Sequence, residues 1–150
     1  MRMNMRLAAP ADVEKLVDLR QSMLRELVET LPKELPGTTR AYLEKHIANG
    51  SCICALLEIQ GEIAAMAMLC SYEAMPDEVN IEGRGANLYA VYTLPAFRGK
   101  GYMEQLLRYL LEQARDRKIR VINAAAERKA IPLYERVGFQ RAETILYMDL

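Results

Sequence analysis

The sequence predicts a mixed α+β domain with a central, mostly antiparallel sheet of about six to seven strands flanked by about four helices. Three observations lead there. A short strand is followed by two helical segments; two apolar runs are joined by the compact turn Gln60-Gly61-Glu62; and a strand, a helix and a strand follow in the second half. The 150 residues, 51% hydrophobic and 27% charged, suit one domain over residues 1–150 with a substantial core.

Met3 to Ala8 reads as the first strand, and Pro10 and Asp12 mark a helix start. Val13, Leu16, Val17, Leu24, Leu27, Val28 and Leu31 recur every three or four residues, predicting an amphipathic helix that stops before Pro32. Thr38 or Thr39 then caps a shorter helix through Tyr42, Leu43 and Ile47, ending at Asn49-Gly50. Ser51 to Ile59 and Ile63 to Tyr72 are partly β-branched and read as an antiparallel hairpin. Glu73 to Gly85 is a loop rich in acidic side chains. Ala86 to Leu94 is a strand, and Met103, Leu106, Leu107, Leu110, Leu111 and Ala114 stripe a helix running to about Arg117. Ile119 to Ala125 follows as a strand parallel to the one before that helix. Ala130 to Val137 is a short helix ended by Gly138, and Gln140 to Leu150 closes the chain as strand, bent near residues 142–144.

Lys+Arg and Asp+Glu balance at 20 each, so no basic field argues for nucleic acid. No apolar stretch is long enough for a membrane span, and the Met-Arg-Met-Asn start has no signal-peptide core. Three cysteines suit buried thiols in a reducing compartment better than disulfides, and with no nearby His they do not suggest a metal site. The expected setting is the cytoplasm.

The most informative stretch is Thr93-Leu94-Pro95-Ala96-Phe97-Arg98-Gly99-Lys100-Gly101-Tyr102-Met103, a glycine-bearing basic loop between a strand and a helix. Amides at a helix start lack intrahelical acceptors and the helix dipole favours negative charge there, so the stretch reads as an anion cradle. It is not a Walker loop, because Gly101 rather than Ser or Thr follows Lys100. It is not a dinucleotide fingerprint either, because Glu104 stands where a third glycine belongs.

Arg98-Gly99-Lys100-Gly101-Tyr102-Met103, with Ile131-Pro132-Leu133-Tyr134-Glu135-Arg136-Val137-Gly138-Phe139 later in the chain, resembles the GNAT superfamily of N-acetyltransferases. The family's loop has the form Gln/Arg-x-x-Gly-x-Gly/Ala; Arg98 and Gly101 match, and Met103 takes the place of a small residue. The resemblance covers essentially the whole chain. It implies a GNAT-like fold in which the fourth and fifth strands splay to admit acetyl-CoA. The pantetheine would pair with backbone around Val91, Tyr92 and Thr93 and around Asn123. The pyrophosphate would sit on the amides of Gly99, Lys100, Gly101, Tyr102 and Met103, aided by Arg98 and Lys100. Tyr134 would protonate the leaving thiolate when an unidentified primary amine attacks.

No carboxylate occupies the fourth strand, Asn87 to Tyr92. Glu73, Glu82 and His46 could act as a base, against the plainer reading of each as a surface or structural residue. An acyl-CoA-binding sensor that has lost transfer is the alternative on the same fold, and the C-terminal strands could pair across a homodimer.

Overall fold

The computed structural model describes residues 2–150. Its sheet has five strands, β1 (Met3–Leu7), β2 (Cys52–Ile59), β3 (Glu62–Glu73), β4 (Arg84–Thr93) and β5 (Val121–Ala124), in sequential order. The first three pairings are antiparallel; β4 and β5 run parallel. The helices are α1 (Val13–Arg25), α2 (Leu35–Ala48), α3 (Tyr102–Asp116) and α4 (Ile131–Arg136). The crossover between β4 and β5 is made by α3, as parallel neighbours require.

Both faces of the sheet are covered, so β2 and β3 read as continuous apolar runs rather than as alternating ones. On one face Ala55, Leu57, Ala67 and Leu69 pack under Leu106, Leu107 and Leu110 of α3. On the other, Leu56 and Met66 join Leu16 and Val17 of α1 and Leu43 of α2. Cys52, Cys54 and Cys70 are free thiols buried in this second layer, as their alternation predicts.

A register shift interrupts β4. Met66 pairs with Tyr92 and Met68 with Tyr89, so Ala67 of β3 stands opposite both Ala90 and Val91. Ala90 takes φ 53°, left-handed backbone that a non-glycine residue rarely adopts. The bulge moves side chains between faces. Ala86 and Leu88 belong to the α3 layer, whereas Ala90 and Tyr92 belong to the α1/α2 layer.

Three expectations need correction. The second helix begins at Leu35, with Pro36 in its first turn, so Thr38 and Thr39 lie inside it and do not cap it; the Thr38 hydroxyl donates back to the Glu34 and Leu35 carbonyls. The last eleven residues, 140–150, form no strand, and Leu146, Tyr147 and Met148 are 95%, 83% and 78% exposed. The segment is apolar over Ile145-Leu146-Tyr147-Met148 but pairs with no strand among the described residues, so the count stops at five. The first helix ends at Arg25 rather than before Pro32, leaving Leu27 57% and Val28 48% exposed. Their spacing continues the helical stripe, but the helix ends before them and neither is buried.

Leu107 is fully buried in the α3 layer. Leu107→Ala should destabilise the fold by about 2–5 kcal/mol. Urea unfolding should show this as a lower midpoint with an unchanged slope.

Candidate functional site

The pairing of β4 with β5 extends only from Gly85 opposite Val121 to Leu88 opposite Ala124. Beyond that, β4 runs on to Thr93 while the chain after Ala124 turns away into a 3-10 turn and α4. The parting leaves a cleft of about 890 Å³ with Val91, Tyr92 and Thr93 on one wall and Asn123, Ala125 and Tyr134 on the other. Along it the β4 backbone has no strand partner on the β5 side, and exposed strand amides and carbonyls offer ready pairing for an extended ligand.

Past Thr93 the chain forms a 3-10 turn, Pro95–Phe97, and enters α3 through Gly99 at φ 76° and Gly101 at φ 78°. Gly101 is the residue flanking the helix, and this left-handed conformation is open to glycine without strain. The amides of Gly99 through Glu104 take no acceptor among the described residues; the first satisfied one is that of Gln105, which donates to the Gly101 carbonyl. A Cβ at Gly99 or Gly101 would meet nothing within 4 Å, so the approach to these amides is open. A second cavity of about 200 Å³ lies over this loop and shares Thr93, Arg98 and Met103 with the cleft.

Met103, which stands where a small residue is usual, turns its side chain into the α3 core and is 9% exposed. Lys100 is exposed with no ion-pair partner among the described residues. Arg98 is engaged differently. Its Nη2 donates to both Glu26 oxygens at 2.8 and 3.0 Å, its Nε donates to the Thr93 carbonyl at 2.8 Å, and the guanidinium lies 5.6 Å from the Tyr92 ring centroid. The Tyr92 hydroxyl donates to the same Glu26 at 2.6 Å. Glu26 at the end of α1 therefore ties the helix to the loop, and the Tyr92 hydroxyl and Arg98 together hold its carboxyl below the usual range.

Glu104 lies in the first turn of α3, close to where an anion would bind. Its charge is balanced by Arg136 of α4, whose Nε donates at 2.8 Å, and by Arg108, and both hold its carboxyl below the usual range. The same contacts dock α4 against α3, which brings Tyr134 to the cleft. Tyr134 is 8% exposed, stacks at 5.5 Å on Phe139, and makes no side-chain hydrogen bond among the described residues. Burial, with a smaller contribution from Glu127, raises its hydroxyl above the ordinary tyrosine value. It stays protonated at neutral pH. Asn123 donates from Nδ2 to the Tyr72 hydroxyl at 2.8 Å, which fixes the β5 wall.

The candidate bases are not at the cleft. Glu73 stands exposed at the end of β3 opposite Arg84, and Glu82 is 3.8 Å from Arg84; neither lines any of these cavities. His46 stacks on Tyr42 at 4.2 Å and shares a hydrogen bond between Nδ1 and the Ser51 hydroxyl, a structural arrangement. No group of three or more His, Cys, Asp or Glu among the described residues is placed to hold a metal ion.

A third cavity of about 340 Å³ opens beyond the bulge, walled by Arg20, Thr38, Tyr42, Cys70 and Tyr89. It meets the large cleft at Arg20, Tyr89 and Ala90. Glu26 and Arg20 both escape sequence reasoning: Glu26 is 72 residues from the arginine it binds, and Arg20 is one of three cations on α1.

Taken together, the parted strands, the open amides at a helix start and the buried tyrosine between them define a site for a long, thin ligand that is anionic at one end. The class is narrower than that. The chain belongs to the acetyltransferase (GNAT) family, whose model matches residues 15–139. Among solved structures it is similar to a predicted acetyltransferase from Clostridium acetobutylicum solved with acetyl-CoA, at 27% identity and a TM-score of 0.90 over 99% of this chain and 96% of that one. A GCN5-related N-acetyltransferase from Ralstonia eutropha shares the fold at 22% identity and a TM-score of 0.83, covering 99% of both chains. Glucosamine-6-phosphate N-acetyltransferase from Arabidopsis thaliana shares it at 14% identity and a TM-score of 0.75, again over 99% of both. No curated protein matches the chain.

The Cys70 thiol lies 3.8 Å from that of Cys52 and lines the third cavity. Hydrogen bonding from Cys52, opposed by burial, and then the Tyr42 hydroxyl and the Arg20 charge pull Cys70 down to about 7, while Cys52 and Cys54 are pushed up. At pH 8 iodoacetamide should therefore label Cys70 first. Peptide mapping that finds Cys52 or Cys54 labelled first contradicts this.

Proposed function

We propose that the chain transfers an acetyl group from acetyl-CoA to a primary amine of a small molecule or peptide by direct attack, with Tyr134 as general acid. One observation carries this reading: the cleft along the unpaired edge of β4, which Tyr134 lines, shares Thr93, Arg98 and Met103 with the cavity over the open amides at the start of α3. A thioester with a long amide-bearing arm and a pyrophosphate fits that path in length order and in chemistry.

Acetyl-CoA, when bound, supplies an acyl group already activated as a thioester. The chain's own residues supply orientation and a proton. Backbone groups of Val91, Tyr92 and Thr93, with Asn123 across the cleft, are suited to hold the amide-bearing arm. The amides of Gly99, Lys100, Gly101, Tyr102 and Met103 are suited to the pyrophosphate, with Lys100 as the free cation beside them. Arg98, already bound to Glu26, acts mainly by holding the loop in its receptive shape, and a phosphate oxygen would have to share it. Tyr134 keeps its proton on Oη until a thiolate forms next to it. The cleft's carboxylates are Glu26 and Glu127; Glu26 is ionised and committed to Tyr92 and Arg98, so it makes a poor base. The amine then enters neutral or sheds its proton to water.

Gly101→Glu places a side chain where the backbone is left-handed and a charge where an anion must bind. Calorimetry should find acetyl-CoA binding abolished; unchanged affinity would remove the loop from the site. Tyr134→Phe should lower kcat by about 100-fold with little change in acetyl-CoA affinity. A raised hydroxyl pKa means that the donor is intact at neutral pH and is lost only as pH rises through the raised value. The wild-type rate should thus fall at strongly alkaline pH, and the phenylalanine variant should lack that limb.

A further inference from the structure

The third cavity contains a guanidinium that no carboxylate among the described residues pairs with. Arg20 projects from α1 and is half-buried, and burial works against its charge. Its one side-chain hydrogen bond among the described residues goes to the Met23 sulfur at 4.0 Å, and no carboxylate lies within ion-pair distance. Other arginines nearby are provided for: Arg6 has Asp12 and Glu58, Arg40 has Glu14, and Arg98 has Glu26. An exposed arginine without a partner is ordinary, but one held partly out of water leaves desolvation uncompensated unless something else supplies the negative charge.

The surroundings say what that is. No Asp, Glu, Lys or His lines the cavity; Arg20 is its one basic side chain, and its other polar groups are hydroxyls of Thr38, Thr39, Tyr42 and Tyr89 and the Cys70 thiol. Cys70 is already pulled toward its thiolate, in part by Arg20, so negative charge is favoured at that depth. Arg20, Tyr89 and Ala90 also line the large cleft, at the point where the two spaces join. An acceptor entering here must pass a fixed cation. That repels a simple alkylammonium and attracts an amine that carries an anion.

We infer that the acceptor is a small primary amine bearing a carboxylate, an amino-acid-like molecule whose carboxylate is gripped by the Arg20 guanidinium while its amine points past Tyr89 and Ala90 into the cleft. The planar fork of Arg suits a carboxylate in a two-point contact. A single positive charge, with no second cation beside it, matches a monoanion better than a phosphate dianion. At about 340 Å³ the cavity is at the small end of ligand pockets, which suits a molecule of amino-acid size. This inference rests on the acetyl-transfer reading, but the carboxylate grip can be measured without turnover.

The test uses N-acetyl amino acids, the products such a reaction would release, against their carboxamides. Titration calorimetry on the wild-type protein, with glycine, alanine, methionine and phenylalanine derivatives, should show at least one acid bound about 10- to 100-fold more tightly than its amide. Arg20→Met should erase that preference, and Arg20→Lys should keep part of it. Equal binding of acid and amide throughout, or a preference that survives in Arg20→Met, overturns the inference. So does tighter binding of N-acetyl phosphoethanolamine than of every carboxylate. The acid and amide comparison in the wild type needs no variant, so a folding defect at Arg20 does not spoil it. If the acids are preferred but no amine is acetylated, the transfer reading fails and the carboxylate site stands.

Discussion

Between Tyr89 and Thr93, β4 has a hydrogen-bonded strand on one side only. A strand so placed within a sheet would ordinarily leave unsatisfied backbone groups, which fold stability resists. Here the gap is kept open by what flanks it. On the β3 side the bulge at Ala90 sends the strand off its straight course, and on the β5 side the chain leaves after four residues to build α4. Every feature of the site follows from that parting: the cleft, its unpaired edge, and the access of Tyr134 from below.

The ion pairs around the cleft matter for geometry more than for stability. Exposed pairs of this kind contribute about 0–1 kcal/mol each. The Glu26, Arg98 and Tyr92 cluster nevertheless joins the end of α1, the outer end of β4 and the glycine loop at one point. Glu104 does the same for α3 and α4 through Arg108 and Arg136. These two clamps sit on opposite sides of the loop amides, which stay free because no side chain of the protein caps them. A helix start left uncapped is a small loss of stability that a bound anion restores.

The bulge also splits one buried row of β4: Ala86 and Leu88 before it face the α3 layer, Ala90 and Tyr92 after it face the α1/α2 layer, and Tyr89 and Ala90 line both the cleft and the smaller cavity. The large cleft and the smaller cavity beside α1 and α2 are therefore neighbours that meet at Arg20, Tyr89 and Ala90.

Much of this was legible in the residues. The helical stripe from Met103 to Ala114, the hairpin turn at Gln60-Gly61 and the glycine loop are local patterns, and local sterics and burial decide them. Family resemblance, too, lay in short contiguous motifs. What the sequence could not state is anything that depends on two distant segments meeting. Alternation of Ala86, Leu88, Ala90 and Tyr92 reads as one buried face, yet the bulge splits it between two cores. Residues 140–150 are apolar enough to read as a strand, yet they pair with no strand among the described residues. Arg98 looked free to meet a phosphate until Glu26 came to it from α1, and Arg20 became notable only because no carboxylate came to it at all. By itself the sequence determined most of the elements and the glycine loop at the start of α3; the tertiary structure alone decided which charges are paired within the fold and which are not, since charge pairing is a property of folded space.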